Sequence, residues 1–158
     1  MRRSLSGGLV VFAGIVGLPE RVSPYQVHHT TAPDYRGDPR LESLQRFFHK
    51  GNCPAVAYSS AFLEAADVYD LDWRLLPSIS FVESTGGKAA PNNNMFGWDS
   101  GHAQFDSPTA GIHKVGYQLA HSHLYRNKDV DGILATYNPN ADYAVKVKWV
   151  MRHIASSE

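Results

Sequence analysis

From Pro39 onward, apolar residues return at helical spacing over most of the chain. Leu41, Leu44, Phe47 and Phe48 share one face of a short amphipathic helix, which Gly51 and Pro54 break. Ala55, Tyr58, Phe62, Ala65, Ala66 and Tyr69 repeat on the same period and end near Asp70. Asp72 can cap a third helix with its body over residues 73–83, and Pro77 in its second turn is expected to distort it. The period then lapses. Gly86, Gly87, Pro91 and the run Asn92, Asn93, Asn94 forbid a long helix, while Phe96, Trp98 and Phe105 surround a turn at Ser100 and Gly101. This stretch predicts a loop followed by a small hairpin. Ser107 caps the next helix, with Pro108 in its first position and Ile112, Val115, Gly116, Leu119 and Ala120 on its buried face. A shorter helix follows over 129–136, then a turn over 137–140. The last helix is amphipathic through Tyr143, Val147, Val150 and Ile154. Trp73 and Trp149, inside helices, are assigned to the core. The expected fold is mainly α (α+β): a helical domain with a small β-hairpin lobe.

The front of the chain follows other rules. Residues 19–38 hold Pro19, Pro24, Pro33 and Gly37 with no sustained period, and read as a linker. Before them, Arg2 and Arg3 precede an uncharged, mostly apolar run over 9–18. That run is shorter than the roughly 20 residues of a membrane-spanning helix, and reads as an export signal. No clear Ala-x-Ala site follows, so residues 1–18 are either a cleaved signal peptide or an uncleaved anchor that attaches the protein to a membrane. The folded domain is expected over 39–158.

Charge narrows the partners. Fifteen basic residues balance fifteen acidic ones, so no basic excess points to nucleic acid. Cys53 is the single cysteine, which excludes an intrachain disulfide and reads as a buried, inert thiol. Among the eight histidines, His121 and His123 diverge by about 200° on a helix, and no His-x-x-x-His spacing occurs. The sequence therefore implies no metal and no cofactor.

The informative polar residue is Glu83. Leu76, Ile79 and Glu83 lie at i, i+3 and i+7, so the carboxylate shares an apolar stripe at a helix end, just before Gly86 and Gly87. Partial burial and the negative end of the helix dipole both disfavour its anion. A carboxyl kept protonated near neutral pH suits protonation of a glycosidic oxygen. Glu83 also reads as a solvated residue at a helix end.

Glu83-Ser84, Asn92-Asn93-Asn94 and Met95-Phe96-Gly97-Trp98, in that order and followed by Tyr137-Asn138-Pro139, resemble the glucosaminidase domains of glycoside hydrolase family 73, within the lysozyme-like superfamily. The resemblance covers roughly residues 44–154. It implies cleavage of β-1,4 bonds in peptidoglycan or a related N-acetylglucosamine polymer, as an endo-β-N-acetylglucosaminidase does, with Glu83 as general acid. The chain departs from the related lytic transglycosylases, whose Glu-Ser precedes a longer loop containing Gly-Leu-Met-Gln. Transglycosylation is thus a lesser alternative, and a non-catalytic glycan-binding or scaffold module is another.

Glycosidases ordinarily use a second carboxylate. Asp99 and Asp106 are the candidates, Asp99 also readable as a turn residue and Asp106 as a neighbour of the helix cap. Where neither acts, the substrate's acetamido group could assist, with Tyr137 orienting it or shielding the developing positive charge. Phe96 and Trp98 present flat apolar faces suited to a pyranose ring, or pack in the hairpin core. Asn94 can hydrogen-bond an acetamido group or simply form a turn. Ser84, beside the acid, completes the set of candidate substrate-binding residues.

Overall fold

A computed structural model describes residues 33–156. The export segment 1–18 and most of the linker 19–38 lie outside the described residues. The described chain is mainly helical, with no strand among the described residues. Six α-helices follow one another: α1 (Pro39–Lys50), α2 (Ser59–Tyr69), α3 (Leu75–Ser84), α4 (Pro108–His121), α5 (Val130–Tyr137) and α6 (Ala141–Ala155). None is long and apolar enough to cross a membrane.

The helices begin where short polar side chains supply the acceptors that first-turn N–H groups lack. Asp38 accepts from the Arg40 N–H, Ser107 from Ala110, Asp129 from Gly132 and Asn140 from Asp142. Pro39 and Pro108 open α1 and α4, where a missing N–H is harmless. Helix α2 packs along α4 and α3 along α6, around a core that includes Leu44, Phe48, Phe62, Leu63, Ile79, Ile112, Val147 and Ile154. Gly116 lets α4 approach closely: a Cβ there would come within 2.8 Å of the Tyr69 ring.

The structure departs from the sequence reading at several elements. The second helical stretch is split: residues Pro54–Tyr58 wind as a 3-10 turn before α2 begins. Helix α3 starts at Leu75, two residues later than the apolar pattern suggests, because Asp72 binds the Arg74 backbone and guanidinium. Pro77 thereby falls in the first turn, where it removes no helical hydrogen bond and distorts nothing. Tyr35, expected in the linker, is buried and donates its hydroxyl to Asp67 at 3.0 Å, so packing begins upstream of Pro39. Trp149 is 50% exposed rather than core, with its ring stacked on His153. It lines an apolar surface cleft of about 410 Å³ between α3 and α6, with Phe81, Val82 and Val145.

The small hairpin lobe is absent. Asn92, Asn93, Asp99 and Ser100 all take left-handed backbone angles, which coil the segment into successive turns. Side chains then take the backbone groups a ladder would use. Asn94 accepts from the Trp98 N–H at 2.9 Å and donates to the Trp98 carbonyl at 3.0 Å. Asn93 donates to the Phe105 carbonyl, and the Phe105 N–H returns to Asn92. With those donors and acceptors engaged locally, the two arms have no regular pairing to make.

Candidate functional site

Helix α3 delivers Glu83 to the surface. Leu76 and Ile79 are fully covered, yet Glu83, on the same stripe, is exposed. The stripe emerges from the core at the helix's last turn, so the partial burial expected from its period is not found. What stands against the carboxylate is Gly97: a Cβ there would lie 2.9 Å from Glu83 Oε2. Gly97 also sits at φ +60°, where a side chain is strained. The loop thus passes close beside the mobile end of the acid, and it is the left-handed backbone at Gly97 that calls for glycine.

The next residue of α3 fixes that approach. Ser84 is buried and its hydroxyl is fully engaged. It donates within reach of the Ser80 and Met95 carbonyls, at 3.0 and 2.8 Å, and accepts from the Gly87 N–H at 2.9 Å. Ser84 therefore pins the loop to the helix end and presents no free group to a ligand. Asn94 is likewise buried and spent on Trp98. Phe96 is fully buried, edge-on to Phe62. These three candidate substrate-binding residues are placed as supports of the site.

Gly97 and Trp98 line a cleft of about 560 Å³ together with Asp99, Ser100, Gln104, Lys114, Tyr125 and Tyr137. That volume is in the range of small-ligand pockets. Trp98 is half-buried and meets Tyr137 at 5.7 Å between ring centroids and Tyr125 at 6.1 Å. Asp99 is exposed on the cleft's turn, while Asp106 is exposed just before the Ser107 cap and does not line the cleft.

Tyr137 closes α5 and donates its hydroxyl to the Phe96 carbonyl at 2.5 Å. Burial, and next the Glu83 charge, push its pKa far up. The hydroxyl consequently stays neutral at any ordinary pH. Glu83, Trp98 and Tyr137, separated by up to 54 positions in sequence, lie near one another, but Glu83 is not among the residues that line the cleft.

Sequence reasoning missed Tyr143. It follows the α6 apolar stripe and is buried, as the period requires. Its ring stacks parallel to Tyr137 at 5.9 Å. Its hydroxyl has no hydrogen-bond partner at ordinary distance and angle, and it lies within the influence of the Glu83 carboxylate. Burial first, and that charge second, push its pKa far up. The available signal was chemical: a tyrosine, rather than a phenylalanine, at a core position calls for a polar partner.

No known protein family, curated protein or solved structure matches the chain.

Proposed function

We propose that the protein is an exported glycoside hydrolase that cleaves β-1,4 bonds next to N-acetylglucosamine in peptidoglycan or a related glycan, from a lysozyme-like helical domain. The observation that carries the reading is the setting of Glu83. An accessible carboxyl lies against a bare glycine at the wall of an aromatic cleft, beside two tyrosine hydroxyls held neutral.

In this reading Trp98 offers a flat face to a sugar ring, and Gln104 and Lys114 supply polar groups along the cleft. Glu83 gives its proton to the glycosidic oxygen as the bond from that oxygen to the anomeric carbon breaks. The electron pair leaves with the oxygen, and positive charge develops on the sugar. Tyr137, fixed by Phe96, places its oxygen and ring beside that charge. Asp99 is the candidate second carboxylate, activating water from the cleft rim. Asp99→Asn separates two routes. A loss comparable to that of Glu83→Gln assigns the second role to Asp99, and retained turnover assigns it to the substrate's own acetamido group.

The test of the reading is release of soluble fragments from purified peptidoglycan, wild type against Glu83→Gln. Export rests on Arg2, Arg3 and the apolar run over 9–18. Cell fractionation checks it: full-length protein confined to the cytoplasm with an intact N-terminus contradicts export.

A further inference from the structure

We infer that Tyr143 is a positioning residue for Glu83, its hydroxyl donating to one carboxyl oxygen and holding the acid beside Gly97. The inference rests on the proposed role of Glu83 for its catalytic consequence, but the contact itself does not.

Three observations converge on it. The Tyr143 hydroxyl is buried and has no other partner, whereas nearly all such groups in folded proteins find one. It lies within the influence of the Glu83 carboxylate, whose charge and hydrogen-bonding capacity both act on it. The ring cannot turn away, because it is stacked on Tyr137 and carried by α6, which packs along α3. Glu83 is exposed and, unlike Tyr143, free to adjust its side-chain torsions. A small rotation completes a hydrogen bond to a charged acceptor, among the stronger kinds. Without it, a long exposed side chain samples several rotamers, and only some of them present the proton to a bound sugar. Tyr137 cannot take this part, since its hydroxyl is committed to the Phe96 carbonyl.

Tyr143→Phe keeps the ring and its stacking and removes only the oxygen. On purified peptidoglycan it is expected to lower kcat about tenfold or more with KM changed less than about twofold, an effect on orientation rather than binding. The thermal midpoint should fall modestly, because a hydrogen bond to a charged acceptor is lost. A second measurement is independent of turnover. The Tm change caused by Tyr143→Phe is determined in the wild-type and in the Glu83→Ala backgrounds, since alanine leaves no acceptor for the hydroxyl. A true contact makes the two changes differ by about 3 °C or more. Wild-type kcat in Tyr143→Phe overturns the inference. So do additive Tm changes, including in a protein that turns over no peptidoglycan at all. Non-additive Tm changes in such a protein would uphold the contact while the proposed function fails.

Discussion

At the residue scale the site depends on a glycine. Gly97 combines a left-handed backbone with a close approach to Glu83, whose Oε2 would lie 2.9 Å from a Cβ there. Gly97→Ala is expected to cost about 1–2 kcal/mol of stability from backbone strain alone. It should also displace Glu83, so that activity falls more than the stability loss explains. Chemical denaturation together with turnover at a temperature where the variant stays folded measures both. A stable, fully active Gly97→Ala would show that the close approach has no role. Tyr143 and Glu83 illustrate opposite outcomes of one rule. Both continue apolar stripes, but Tyr143 is covered while Glu83 emerges where its helix ends. Periodicity identifies a face; what lies across from that face is decided by residues far away in sequence.

At the element scale, the link between α3 and the loop that follows it carries the site. Ser84 joins the Ser80 and Met95 carbonyls to the Gly87 N–H. Ser84→Ala leaves buried backbone groups unpaired and is expected to destabilise by about 1–3 kcal/mol. Faster amide exchange at Gly87 and across the loop should accompany the loss, and unchanged exchange would contradict the pinning role. The helices were legible from sequence because caps and apolar periods are local signals. Asp38, Ser107, Asp129 and Asn140 cap helices as short polar residues at such positions do. The loop over 85–107 was not legible as turns. Aromatic residues flanking a Gly-rich turn suit a hairpin, but Asn93 and Asn94 satisfy the backbone from the side, which composition does not reveal. The engaged state of Ser84 and Asn94 was not legible either, since it depends on three-dimensional partners.

At the scale of the whole molecule, paired carboxylates and buried tyrosines set the pH range of stability. Arg40 binds Asp38 and Asp67, holding both carboxyls below their usual range, chiefly through its side-chain hydrogen bonds. Their contribution is present above about pH 4, the unfolded value, and is lost as pH falls through the lowered folded values. On the alkaline side, burial and then the hydrogen bond to Asp67 push Tyr35 up to about 12. Its contribution is complete below about pH 10 and is lost as pH rises through the folded value. Denaturation across pH should show a plateau between these limits, with Tyr35→Phe flattening the alkaline limb and Arg40→Met flattening the acid limb. Unchanged limbs in both variants would contradict the assignment.

The central claim is that Glu83 is the acid of a glycan-cleaving site, and Glu83→Gln keeps its shape while removing its proton. The most direct measurement is the rate at which wild type and Glu83→Gln release soluble fragments from purified peptidoglycan, with thermal midpoints taken on the same preparations. General acid catalysis typically contributes 10²–10⁴-fold, so a loss of at least ~100-fold is expected at a closely similar midpoint. Equal fragment release by two equally folded proteins would contradict the account.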